Sequence, residues 1–215
     1  MSAPTVLVVA KAPVPGLAKT RVARTVGDAS AADLAAAALL DSLDAVRASG
    51  LATVVALTGD LAAAARSEEI AAALDAVRVV PQVGTTFGER LARAHLDADA
   101  GHGVVQVGMD TPQVTADDLL AAAALLEIWP SVLGPADDGG WWLLGVRRGR
   151  DAAALTSVAM STSFTGQHTR NALPHPVGEM RRLRDVDTWA DAQSVAREIP
   201  DSRFAAAVRA AEVLA

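Results

Sequence analysis

A chain of 215 residues with 25 acidic and 19 basic side chains, net charge -6, is long enough for one domain with a substantial core and too acidic for a general nucleic-acid binder. It has no cysteine, which excludes a disulfide framework, a thiolate zinc site and a cysteine nucleophile. The opening MSAPTVLVVAK has no charged leader before an apolar core and no run approaches a membrane span, so a cytoplasmic protein is expected.

Short β-branched runs alternate with alanine- and leucine-rich helical patterns, which reads as an α/β domain with a largely parallel sheet. Strands are expected at Thr5–Ala10, Thr53–Thr58, Val77–Pro81, Val104–Asp110, Ser131–Pro135, Trp141–Val146 and Glu179–Leu183. Ser30-x-x-Asp33 opens a helix in which Leu39, Leu43 and Val46 recur at helical spacing. Thr115-x-x-Asp118 and Thr188-x-x-Asp191 open two more, and Ser202–Leu214 closes the chain as a terminal helix. The stretch Ser163–Met180, with its LPHP, reads as an irregular connection within a single domain, 1–215.

In open α/β sheets ligands sit beyond the carboxyl ends of the strands, and the chemically unusual residues gather there. After the first strand, AKAPVPGLAKTR sets Lys11, Lys19 and Arg21 around Pro13, Pro15 and Gly16, a stiff cationic loop suited to polyphosphate. Its spacing matches neither a Walker A loop nor the dinucleotide G-x-G-x-x-G pattern, and a solvated surface loop is the competing reading. In VGMDTPQVT, Asp110 follows an apolar strand, where a carboxylate either holds magnesium against substrate phosphates or forms the turn before Pro112. In LGPADDGGWWLLG, Asp137 to Gly140 read as a type I′ hairpin turn, and strand alternation lets only one of Trp141 and Trp142 face a site.

In LRDVDTWAD, Asp185 and Asp187 offer a second metal ligand, although Asp187 equally suits the helix start at Thr188. Gln82, Thr85, Thr86, Gly88, Glu89 and Arg90 form a polar strand-to-helix turn able to read a nucleobase or phosphate. The four histidines show no metal-ligand spacing, and Ser161 and Ser163 lie outside any nucleophile elbow.

Taken together, AKAPVPGLAKTR, GERLARA, VGMDTP, LGPADDGGWWLLG, MSTSFTGQHTRNAL and LRDVDTWAD resemble the glycosyltransferase-A-like family of radical-SAM/selenodomain-associated transferases, in its order, over about Val6 to Arg197. The first loop and Asp110 are more distantly similar to the 2-phospholactate and molybdenum-cofactor guanylyltransferases. The resemblance implies a single-domain, Rossmann-like three-layer αβα sandwich of the nucleotide-diphospho-sugar transferase type. It implies Mg2+ or Mn2+ as cofactor, with an NTP or nucleotide sugar and a small phosphorylated acceptor as partners, in a monomer or homodimer.

Carried onto this chain, the nucleotide would meet Ala10, Lys11, Gly16, Lys19, Arg21, Gln82, Gly88, Arg90 and Asp110. The acceptor would meet Thr111, Asp137, Asp138, Gly139, Gly140 and Trp141. Asp110 and Asp187 would hold the metal, and Lys11, Lys19, Arg21 and Asp110 would carry catalysis. Trp141 stands where the family usually has tyrosine, and Met160 where it usually has tryptophan. No Asp-x-Asp pair occurs at Asp110, which favours nucleotidyl transfer over glycosyl transfer. Glycosyl transfer from a nucleotide sugar, and non-catalytic nucleotide binding, are the alternatives.

Overall fold

The β-branched run TVLVVAK forms β1 (Thr5–Lys11), an interior strand in which every residue but Lys11 is buried. The coordinates are a computed structural model, and it describes residues 3–214. The chain adds β2 (Thr53–Thr58), β3 (Arg78–Pro81), β4 (Val104–Gly108), β5 (Ser131–Pro135), β6 (Trp141–Val146) and β7 (Val177–Glu179), in the order β3-β2-β1-β4-β6-β5-β7. Only β6 runs against the rest, pairing antiparallel with both β4 and β5. After building outward from β1 to β3, the chain returns to lay β4 on the other side of β1. The carboxyl ends of β1 and β4 therefore flank the switch point at which such sheets open a crevice.

The helices are α1 (Thr20–Ser49), α2 (Ser67–Leu74), α3 (Phe87–Ala98), α4 (Ala116–Ile128), α5 (Thr165–Ala172), α6 (Trp189–Glu198) and α7 (Arg203–Leu214). On one sheet face, Leu39, Leu43 and Val46 of α1 and Leu119 and Leu126 of α4 cover Val6, Val8, Val105 and Val107. On the other, Leu91 of α3 and Leu155 of the short 3-10 segment Gly149–Ser157 cover Leu7, Val9 and Leu144. From residue 31 to 40 helix α1 is buried on every side but that of Asp33, because its outer side is covered too: Leu34, Ala37 and Ala38 meet Val195 of α6 and Phe204 and Val208 of α7. The leucine, valine and phenylalanine side chains among these contribute about 1.5–3 kcal/mol each on full burial, so this double coverage outweighs the weak amphipathicity of α1.

Several expectations change. The helix carrying Leu39, Leu43 and Val46 does restart close to Ser30, after a break at Gly27 (φ 82°, ψ 161°) that divides α1, but Ser30 is not its cap, and Asp33 instead accepts both bonds of a bidentate pair from Arg66 at 2.7 and 2.9 Å. Thr115/Asp118 and Thr188/Asp191 are complete capping boxes, and Thr86/Glu89 is a third. The irregular stretch contains α5, whose buried residues Thr165, Gly166 and Thr169 are too small and polar to show an apolar period. The last strand is Val177–Glu179, while Leu183 makes only an isolated bridge with Ala136.

The β5–β6 turn is not type I′, which needs positive φ at both central residues. Among Asp137 to Gly140 only Gly139 is left-handed (φ 88°), and its N–H donates to the Ala136 carbonyl. A Cβ there would sit 2.0 Å from the Ser163 carbonyl oxygen, so glycine is required twice over. Beside this turn the register slips between Gly134 and Pro135: Leu143 faces Gly134 and Trp141 faces Pro135. Trp142 thereby joins Leu143 in the α1–α4 core, and Trp141 packs on the opposite face. Among the described residues no helix is long and apolar enough to cross a membrane.

His95 of α3 is fully buried, with Nδ1 2.8 Å from the Leu91 carbonyl and Nε2 without a partner. Burial lowers its pKa from 6.5 to about 4, against the opposing Leu91 bond and Asp99 charge. Between those values the unfolded chain binds the proton and the folded one does not, so stability falls as pH drops from about 6.5 to about 4. At ~1.4 kcal/mol per pKa unit the loss is roughly 3 kcal/mol. Chemical denaturation across this range should show that slope, and His95→Leu should flatten it; an unchanged slope in the variant would contradict the assignment.

Candidate functional site

The loop after β1 is held from both sides. Its Ala12 N–H donates to the Thr58 carbonyl, its Pro13 carbonyl accepts from Ala65, and the Leu17 and Ala18 N–H groups fold back on Val14. It delivers Lys19, itself left-handed (φ 48°), to the start of α1, which has no side-chain cap. The starts of α3, α4 and α6 are all capped. An uncapped helix start leaves N–H groups and the positive end of the helix dipole to whatever lies beyond.

The three cations of this loop are engaged with it or with neighbouring elements. Lys11 Nζ donates to the Leu17 carbonyl at 3.0 Å. Lys19 Nζ lies 2.7 Å from Asp110 Oδ1 and also donates to the Val186 carbonyl, and Arg21 pairs with Asp187 at 3.1 Å. Lys19 is nearly buried, its side chain 10% exposed, while Asp110 is 49% exposed. A cavity of about 250 Å³ lies against Lys11, Leu17, Lys19, Thr20, Arg21 and Asp110.

A larger cavity of about 560 Å³ opens beside it, over the ends of β4 and β6. Asp110 and Asp187 line both spaces and so stand on their boundary. Asp138 and Asp185 line the larger one, with Gln106, Thr111, Gly140 and Trp141. Burial, then the charges of Asp110, Asp138 and Asp187, push the Asp185 carboxyl up to about 8 against the pull of Lys19. The site thus holds more negative charge than its own cations balance. Among the described residues Asp185 and Asp138 have no ion-pair partner, whereas Asp110 is paired with Lys19 and Asp187 with Arg21.

Among the described residues no three His, Cys, Asp or Glu side chains gather closely enough to enclose a metal ion. Magnesium and manganese are commonly held by only one or two carboxylates together with substrate phosphates. The hard oxygens of Asp110 and Asp185, and the surplus negative charge around them, fit a cation of that class.

Not every expected residue reaches these cavities. The Gln82 amide donates to the carbonyls of Ala10 (2.8 Å) and Ala56 (3.0 Å), tying β1 to β2, and the residue lines neither cavity. Gly88 packs on the 3-10 segment, where a Cβ would meet the Leu155 carbonyl at 2.3 Å. Arg90 lies over the ring of Phe87, 5.6 Å from its centroid; Phe87 lines the larger cavity, while Arg90 itself lines neither. Asp137 points to Arg184 at 3.3 Å, and Gly139 seats the Ser163 loop. Gly16 (φ 77°) shapes the first loop without lining either space. Lys11, Lys19, Arg21, Asp110, Thr111, Asp138, Gly140, Trp141 and Asp187 do line the two cavities. Gln106 was not foreseen; its one sequence signal is an amide in the otherwise apolar VVQVG.

The fold recurs in solved structures. A candidate nucleotide-diphospho-sugar transferase from Desulfovibrio desulfuricans G20 is 28% identical, with a TM-score of 0.86 over 100% of this chain and 97% of its own. Rv0371c from Mycobacterium tuberculosis H37Rv, in its complex with manganese, is 21% identical, with a TM-score of 0.54 over 91% of this chain and 99% of its own. The CMP:2-keto-3-deoxy-manno-octonic acid synthetase complexed with CTP is 12% identical, with a TM-score of 0.58 over 93% of this chain and 99% of its own. The last two likenesses are of fold alone. No curated protein sequence matches the chain. A family model, described as an uncharacterized protein conserved in bacteria (DUF2064), matches residues 39–162, more than half of the sequence, and the chain belongs to that family.

Proposed function

We propose that the protein is a divalent-metal-dependent nucleotidyltransferase that joins the nucleotide of an NTP to a small phosphorylated metabolite of the sugar-phosphate class, releasing pyrophosphate. One observation carries this reading: an uncapped helix start bearing Lys19 and Arg21, with Lys11 at the end of β1 beside it, meets the Asp110 carboxylate at the sheet's switch point. An N-terminal helix end with converging cations favours phosphate. The Lys19–Asp110 and Arg21–Asp187 pairs neutralise these groups in the absence of substrate. When the triphosphate arrives, Lys19 and Arg21 exchange carboxylate for phosphate, leaving Asp110 and Asp187 free.

Asp110 and Asp185 would hold Mg2+ or Mn2+, which when bound neutralises charge on phosphate oxygens. The larger cavity seats the acceptor, whose phosphate oxygen attacks the α-phosphorus in line. The bond from the α-phosphorus to its bridging oxygen breaks, and pyrophosphate leaves with its charge on Lys11, Lys19 and Arg21. The acceptor is already anionic, so no general base is needed, and catalysis consists of positioning and electrostatics.

Glycosyl transfer is the second reading. It is favoured by Trp141 on the larger cavity and by the name of the Desulfovibrio relative. An assay of pyrophosphate from each NTP against a panel of phosphorylated acceptors separates the two. Pyrophosphate release with at least one pair is expected. Release of a nucleoside diphosphate from a nucleotide sugar, with no pyrophosphate from any pair, would overturn the proposal.

A further inference from the structure

The larger cavity has a floor that the proposed transfer leaves unused. Gln106 stands mid-strand in β4, between Leu7 of β1 and Leu144 of β6, and is 3% exposed. It lines the cavity, and among the described residues its Oε1 has no hydrogen-bond partner. A buried amide left unpaired is disfavoured against any aliphatic residue of its size unless a group from outside the protein meets it. Because the amide can turn over, it offers both an acceptor and a donor to that group.

The neighbours define what the group is. The two-residue period of a strand puts Gly108 on the same side as Gln106, one step nearer Asp110. A Cβ at Gly108 would meet only the Asp110 nitrogen, at 3.9 Å, so the space above it is open. The register slip at Gly134/Pro135 turns Trp141 to this side of the sheet, as bulges beside functional sites commonly do. Its indole Nε1 donates to Thr169 Oγ1 at 3.2 Å, which locks the ring. A fixed aromatic wall, an amide floor and a bare glycine between them lead to Asp110. From Gln106 to Asp110 is at most about 13 Å of extended chain. A single ring carrying a phosphate spans that gap once the glutamine has reached into it. Apolar ring faces suit the indole and hydroxyl groups suit the amide.

We propose that Gln106, with Gly108 and Trp141, reads the hydroxyl groups of a sugar ring attached to the reacting phosphate, Gln106 being the residue that selects among such rings. The inference rests on the transfer reading above, and the ring belongs either to a sugar-phosphate acceptor or to a nucleotide sugar. Tryptophan-fluorescence titration of the full chain tests it. The probes are hexose 1-phosphates, pentose 5-phosphates, UDP-glucose and GDP-mannose, with glycerol 3-phosphate as the ringless control and manganese–NTPs for the cationic lobe. At least one ring-bearing probe should bind, and Gln106→Leu and Gly108→Ala should each weaken it at least tenfold. NTP affinity should stay within twofold.

Neither change should unfold the protein, since one removes an unpartnered amide and the other adds a methyl to open space. Weakening confined to sugar phosphates assigns the ring to the acceptor, and weakening confined to nucleotide sugars assigns it to the donor; both support the subsite. Unchanged ring affinity in the two variants, equal binding of glycerol 3-phosphate, or no ring binding at all would overturn it. Failure of manganese–NTPs to bind would instead overturn the transfer reading, whatever the ring probes show.

Discussion

Asp110→Asn is expected to lower kcat/KM for pyrophosphate release by at least ~10³-fold while leaving the fold intact. The loss follows from the position of Asp110 on the boundary between the cationic lobe and the larger cavity, where the reacting phosphates would meet. The fold should survive because what Asp110 gives its neighbours structurally is its backbone carbonyl, which accepts from the Val186 N–H at 3.0 Å. Its side chain also pairs with the nearly buried Lys19, but that ammonium keeps its bond to the Val186 carbonyl and an asparagine oxygen can still accept from it, so the loss should stay near ~1 kcal/mol. The melting temperature should therefore move by no more than roughly 4 °C for a chain of this size. Steady-state kinetics with paired thermal melts check both halves. A loss smaller than tenfold would remove Asp110 from the reaction.

Lys19→Met is expected to cost roughly 10²–10³-fold in kcat/KM, the range seen when one preorganised charge-stabilising donor is deleted. It carries a second signature that a merely structural lysine would not. Lys19 Nζ sits 2.7 Å from Asp110 Oδ1, so it competes for that carboxylate with any incoming cation. Its removal should tighten Mn2+ binding to the nucleotide-free protein while weakening NTP binding, and calorimetry reads both. Asp110→Asn should do the reverse to the metal. Because the two residues form one unit, the double variant should lose less than the product of the single losses. Weaker Mn2+ binding in Lys19→Met would contradict the competition.

The parts of the fold legible from sequence were those with a local cause. The β-branched runs at Thr5–Lys11 and Thr53–Thr58 are strands, and the T-x-x-D signals at Thr115 and Thr188 are capping boxes, since a cap involves only the four residues that form it. Ser30-x-x-Asp33 carries the same chemistry but sits three residues past Gly27, the break after which α1 restarts, so Ser30 is already helical. A cap needs extended backbone at its first residue, and Arg66, distant in sequence, takes the Asp33 carboxylate. Helix α5 was hidden because it buries threonine and glycine against the DDGG turn, which leaves no apolar period to find.

The candidate site divides the same way. Lys11, Lys19, Arg21 and Asp110 were legible because they end strands or begin a helix at the switch point. Gln82 and Gly88 sit in an equally polar turn, but the amide is spent on carbonyls of β1 and β2 and the glycine on close packing. Neither use leaves a trace in the local sequence. The contrast between Asp185 and Asp187, two residues apart, is set by which of them Arg21 reaches. Trp141 faces the Gln106 side only because of a bulge that forms when β5 and β6 pair.

The central claim is that the loop between β1 and α1 grips a polyphosphate at the boundary marked by Asp110. A crystal structure of the protein soaked with Mn2+ and a non-hydrolysable NTP analogue tests it directly. The account predicts phosphates against Lys11, Lys19 and the start of α1, manganese density on Asp110, and Lys19 Nζ moved from the carboxylate to a phosphate oxygen. A nucleotide bound elsewhere, with the Lys19–Asp110 pair intact, would contradict it.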